Sequence, residues 1–197
     1  MNEISLHIKN FLQIQNECVN KIQENTHEID EIIKMIISAR KNKKTIFTMG
    51  NGGSGSTASH FVSDLQKTVI VKNENRIKAI SLVDNIPVIL AWSNDVSFDK
   101  IFEEQLKNQV EKNDIVIAFS GSGKSKNIIN ALKIAKKMGA KSIGFTGKTG
   151  GSFNAICDIT FKVPSNDMLT IESQHVTICH CIASTIRSLG KPMFEYD

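Results

Sequence analysis

Long apolar runs are missing from this chain of 197 residues, and none approaches the roughly 18–20 residues that a membrane-crossing helix requires. No membrane partner is therefore expected, and the opening Met1-Asn2-Glu3 does not begin a secretory leader. The four cysteines, Cys18, Cys157, Cys179 and Cys181, form no CxxC pair and follow no secreted-scaffold spacing. A reduced, cytoplasmic protein is the expectation. Internal repeats and low-complexity linkers are also absent, and the length suits one domain over 1–197. Neither sign of charge dominates. The 24 basic and 20 acidic residues leave a net charge of +4, which favours anionic ligands but is too dispersed for nucleic acid. Hydrophobic content of 41% and charged content of 22% fit an ordinary globular domain.

Glycine and proline are missing from residues 3–43, where apolar residues recur at helical spacing. Ile4, Ile8, Phe11, Leu12, Val19 and Ile22 make one stripe; Ile29, Ile32, Ile33, Ile36 and Ile37 make a second. Asn25-Thr26 with Glu28 reads as a cap between two helices. Such stripes belong to a core as a rule. A helical arm (1–43) ahead of the α/β core (44–190) could also pack on another subunit.

From Lys44 onward strands and helices alternate. Strands are expected at 45–49, 77–82, 114–119, 141–146 and 158–163. Helices are expected at 54–67, 85–92, 98–110, 125–138 and 151–156, with a last one at 168–189 and an irregular tail over 191–197. That alternation implies α/β architecture, a parallel sheet covered on both faces. Ligands then bind beyond the carboxyl ends of the strands, where loops 50–56, 120–127 and 146–151 are rich in small polar residues.

The chain is organised around residues 45–67. A strand breaks into Gly50-Asn51-Gly52-Gly53-Ser54-Gly55 and resumes as a helix, a pattern whose free N–H groups and helix dipole favour an anion. Gly52 and Gly53 allow close backbone approach, and Ser54, Ser56 and Thr57 add hydroxyl donors. One turn on, His60 and Asp64 share a helix face. The match to a dinucleotide fingerprint is weak, because no acidic residue ends the following strand. No nucleotide cofactor is expected. The stretch Ala118 to Ser125 imitates a P-loop, yet no magnesium-holding aspartate strand follows it. Ser120, Ser122 and Ser125, with Gly121 and Gly123 before a helix start, instead suit a single phosphate. Asn94-Asp95 reads as a turn and cap before Phe98, or as a ligand contact. In the last helix, Cys179 and Cys181 read as buried small apolar residues, while Glu172 and His180 lie two turns apart and face one site. His60, Asp64, Glu172 and His180 make an N/O set for a divalent metal, zinc first, or an acid–base group without one.

Gly-Asn-Gly-Gly-Ser, His-Phe-x-x-Asp-Leu, Asn-Asp, Ser-Gly-Ser-Gly-Lys-Ser and Thr-Gly-Lys-x-Gly-Gly, with two histidines in the closing helix, resemble the sugar isomerase (SIS) domain. Within it the chain resembles the phosphoheptose isomerases, from about Ile4 to Leu189. The resemblance implies a flavodoxin-like sheet, a homotetramer with shared active sites and one zinc ion per subunit. It assigns the phosphate of a sugar substrate to Ser120, Gly121, Ser122 and Ser125. Asn51, Gly52, Gly53, Ser54, Asn94 and Asp95 would line the sugar site. His180 falls at the catalytic and zinc-binding position, and His60 at another zinc ligand. Two departures stand out: Asp64 replaces a usual glutamate and Glu172 a usual glutamine. Leu169 and Thr170 also replace a commonly polar pair. Asp64 is one methylene shorter, so its carboxylate would reach a metal but fall short of a substrate carbon. Glu172 restores a carboxylate on the opposing helix, an exchange of duties. The implied activity is isomerisation of sedoheptulose 7-phosphate to a heptose 7-phosphate for lipopolysaccharide or capsule. Alternatives are an isomerase of another phosphosugar, a phosphosugar sensor, or a non-catalytic protein that binds the replication initiator. Four ionisable groups exceed the needs of pure binding, and no DNA-binding segment is attached.

Overall fold

The structure, a computed structural model, describes residues 2–194. The N-terminal arm is two helices, α1 (Glu3–Gln23) and α2 (His27–Lys41). Then follow β1 (Thr45–Gly50), α3 (Gly52–Ser63) with a π turn (Asp64–Thr68), β2 (Lys78–Ser81) and α4 (Ile86–Asp95). A 3-10 turn (Phe98–Lys100) leads to α5 (Glu103–Gln109), β3 (Ile115–Phe119), α6 (Lys126–Lys137) and β4 (Lys141–Thr146). The chain closes with α7 (Phe153–Ile156), β5 (Ile159–Lys162) and α8 (Met168–Ser188).

The five strands form one parallel sheet in the order β2-β1-β3-β4-β5, the flavodoxin-like arrangement. β3 is buried at every position, which accounts for its unbroken apolar run. On one face, Ile46, Ile117 and Phe145 pack with α2, α3 and α8. On the other, Phe47, Met49 and Val116 pack with α5, α6 and α7. Chain direction across the sheet therefore reverses between β1 and β3, whose following helices leave on opposite faces. A crevice opens at that point.

Several expectations need correction. The stripe of α2 is core, with Ile32 and Ile36 fully buried, but that of α1 is not. Ile4, Ile8 and Leu12 are exposed, and α1 buries Cys18 and Ile22 alone, because only its C-terminal end reaches the core. The single helix expected over 98–110 is broken around Ile101 and Phe102. Both are buried, whereas neighbours in a straight helix point about 100° apart. α3 begins two residues earlier than expected, at Gly52, and its α form yields to the π turn at Asp64. The tail is not simply irregular: Pro192 bridges Val71 antiparallel, with Lys72 N–H donating to Lys191 O at 2.9 Å. Residues 195–197 of that tail lie outside the described residues. Cys181 is exposed, not buried, while Cys179 is buried as expected.

His175 on α8 belongs to this core and not to a site. It is fully buried against the Phe119 and Phe145 rings, with Nε2 3.4 Å from Thr146 O and no partner for Nδ1. Burial pushes its pKa down from 6.5 to about 4. The unfolded chain takes up this proton first, so stability falls as pH drops through that window. The expected loss between pH 7 and pH 4.5 is roughly 2–3 kcal/mol, measurable by urea denaturation. A His175→Gln variant should lose that part of the pH dependence.

Candidate active site

Gly50 of β1 lies beside Phe119 of β3 in the ladder, so the two glycine- and serine-rich loops leave the sheet side by side. Asn51 is extended and caps α3; Gly52 has φ +52°, a conformation glycine adopts without strain. A cavity of about 570 Å³ opens beside this turn, lined by Asn51, Gly52, Ser56 and His60 with Val83 and Phe98. A second, of about 380 Å³, is lined by Gly53, Ser56, Thr57, His60 and Glu172. Ser56 and His60 border both. A β-carbon at Gly53 would stand 2.4 Å from Glu172 Oε2, the end of a flexible side chain, so a larger residue there would displace that carboxylate. Ser54, in contrast, is buried and lines neither cavity.

Packing of α3 on α8 brings His60, Asp64 and His180 together, each with a ligand atom within 4.8 Å of the others. The two Nε2 atoms are 2.8 Å apart, and Asp64 Oδ2 lies 3.5 Å from that of His60 and 3.7 Å from that of His180. Asp64 Oδ1 accepts a hydrogen bond from the Thr68 hydroxyl at 3.0 Å, while the buried Oδ2 has no hydrogen-bond partner. The carboxylate sits at the first residue of the π turn, a helix distortion found often at functional sites. Two imidazole nitrogens and an orphaned carboxylate oxygen converging on one point fit a divalent metal. Donors around a tetrahedral zinc stand roughly 3.3 Å apart, within the spread seen here. Glu172 is outside this trio. Eight residues of helix correspond to about 12 Å along the axis, and Glu172 borders the second cavity instead.

The serine loop is shaped by Gly123 (φ +60°) and a turn from Ser120 O to Gly123 N–H at 2.9 Å. Ser120 Oγ is 3.3 Å from Ser125 Oγ, and Ser122 Oγ accepts from Lys124 N–H at 3.2 Å. Ser125 caps α6 without using its side chain on the helix; Ile128 N–H is taken by Asn127 Oδ1, which leaves the N–H groups of Lys126 and Asn127 for a ligand. Gly121 and Ser122 border a third cavity of about 210 Å³ with Lys124 and Lys148. Asn94 and Asp95 end α4, exposed and hydrogen-bonded to each other at 2.8 Å, and line none of the three cavities.

Two polar features escaped the sequence reading. Asn127, buried in α6, exchanges amide hydrogen bonds with Asn51. Gln15 of α1 donates to Thr170 Oγ1 and accepts from Gln174 Nε2, both at 2.9 Å, fastening the arm to α8. Each partner is distant in sequence, and no local pattern marks it.

A parallel sheet of this order, with glycine- and serine-rich loops at its switch point and an ionisable cluster between two helices on one face, is the architecture of an SIS-type domain, and the SIS domain profile matches residues 10–147. The phosphoheptose isomerase of Aliarcobacter butzleri is 37% identical over 180 residues, covering 91% of this chain and 94% of that protein. That of Campylobacter concisus is 34% identical over 94% of this chain and 93% of its own. Among solved structures, a phosphoheptose isomerase from Francisella tularensis superposes with a TM-score of 0.88 at 27% identity, covering 95% of this chain and 100% of that one. The chain belongs to the phosphoheptose isomerase family.

Proposed function

We propose that this enzyme interconverts sedoheptulose 7-phosphate and a heptose 7-phosphate of the D-glycero-D-manno type through an enediolate. The observation that carries this reading is the His60–Asp64–His180 cluster, whose His60 shares one cavity with Asn51 and Gly52 and another with Glu172. The phosphate is assigned to Ser120, Ser122, Ser125 and the first turn of α6, whose remote binding energy orients the reacting carbons. Asn51, Gly52 and Gly53 line the sugar.

His60, Asp64 and His180 would hold a zinc ion, one per subunit. When bound, it supplies charge stabilisation to the carbonyl and enediolate oxygens. Glu172 is the carboxylate left free of that cluster. It accepts the proton from C1 of the ketose and returns a proton to C2, while the O1 hydroxyl proton is passed to O2. Asp64 is committed differently, with one oxygen on Thr68 and the other toward the two histidines. The exposed stripe of Ile4, Ile8 and Leu12 on α1 supports a homo-oligomer, and we assign a homotetramer with sites completed at subunit contacts. A cytoplasmic location and a product destined for lipopolysaccharide or capsule belong to the same reading.

Sedoheptulose 7-phosphate turnover, followed by NMR on metal-stripped protein with and without added zinc, tests it. Zinc-dependent conversion to an aldoheptose phosphate is expected. No conversion in either sample, with inorganic phosphate still bound, would overturn the assignment.

A further inference from the structure

We propose that Asn127 is a positioning residue that couples occupation of the phosphate loop to the geometry of the sugar loop. The proposal rests on the isomerase reading above. Asn127 lies two residues beyond Ser125, in the first turn of α6, and is 2% exposed. Its Nδ2 donates to Asn51 Oδ1 at 2.8 Å, and Asn51 Nδ2 donates back to Asn127 Oδ1 at 3.0 Å. Oδ1 also accepts from Ile128 N–H at 2.9 Å, so the side chain is bonded to its own helix as well as to the opposite loop.

The location gives this pair its meaning. α3 and α6 cover opposite faces of the sheet, and Asn51 and Asn127 meet across the point where the two faces divide. Among the described residues, no other side-chain hydrogen bond joins 51–56 to 120–127. Two parallel amide bonds fix both distance and rotation, unlike a single bond. Breaking one side would leave a buried amide unpaired, which makes the link costly to release. A phosphate drawn onto the N-terminus of α6 therefore settles the turn that holds Asn127. Asn127 in turn holds Asn51, which lines the cavity of about 570 Å³ shared with Gly52 and His60. In this way binding at the unreactive end of the substrate is used at the reacting end.

Hydrogen–deuterium exchange with and without inorganic phosphate tests the coupling without requiring turnover. In the wild-type protein, phosphate should slow exchange over both 120–127 and 50–56. In Asn127→Ala and the uncharged, similarly sized Asn127→Leu, protection should remain over 120–127 and vanish over 50–56. Kinetics on the same preparations should show kcat lowered roughly 10–100-fold, with KM and the inhibition constant of phosphate within about twofold. Phosphate protection of 50–56 that survives in both variants, or that never occurs in the wild type, would overturn the proposal. So would an unchanged kcat, or phosphate affinity lost in step with kcat. Absence of turnover in the wild type would instead count against the isomerase reading, and the exchange data would still decide the coupling.

Discussion

Replacement of Glu172 by glutamine is expected to lower kcat by roughly 10²–10⁴-fold, the usual contribution of a positioned general base. Glutamine keeps the length and shape that fit against Gly53, so the cavity it shares with His60 should persist. What disappears is the capacity to accept a proton. Inorganic phosphate should still bind within about twofold, because Ser120, Ser122 and Ser125 lie on a different loop, and zinc affinity should be retained with the His60–Asp64–His180 trio intact. Steady-state kinetics combined with a phosphate titration separates these effects. A Glu172→Gln enzyme with wild-type kcat would return the proton transfer to His180 or Asp64.

Asp64→Asn should split stability from function. In the metal-free protein, the buried Oδ2 has no hydrogen-bond partner, and an amide at that place can donate to a neighbouring imidazole. Relief of about 1 kcal/mol would raise Tm by about 2–4 °C in a chain of this size. The same change removes the anionic ligand from the cluster, and zinc affinity should fall by at least roughly tenfold, with turnover following it. Calorimetry of the chelated protein and a zinc titration read the two effects independently. His180→Ala serves as the companion variant: it should lose zinc and turnover without the gain in Tm. A lower Tm with unchanged zinc affinity in Asp64→Asn would mean that the trio is a structural hydrogen-bond cluster and not a metal site.

Much of the architecture was legible because it is written locally. The apolar run of β3, the isoleucines of α2 and the glycine breaks after β1 and β3 are short-range signals, and the structure places strands and loops accordingly. The pairing of His60 with Asp64 also follows from helical spacing alone. What escaped depends on partners far along the chain. The exposed stripe of α1 has the same period as the buried stripe of α2, and periodicity does not say whether a partner surface exists within one chain. Asn127 reads as an ordinary polar residue until Asn51, 76 positions away, is set against it. The bridge from Val71 to Pro192 and the separation of Glu172 from the His60–Asp64–His180 trio are likewise tertiary facts. The exposure of Cys181 beside the buried Cys179 follows from helix rotation, which composition does not register.

Glu172 borders an open cavity, so a proton held on its carboxylate can exchange with solvent before it is returned to the sugar. Turnover of sedoheptulose 7-phosphate by the zinc-loaded enzyme in D2O, read by NMR, therefore tests the central claim most directly. The prediction is an aldoheptose 7-phosphate carrying deuterium at C2. Recovery of unchanged ketose, or a product whose C2 hydrogen came wholly from C1 without exchange, would contradict it.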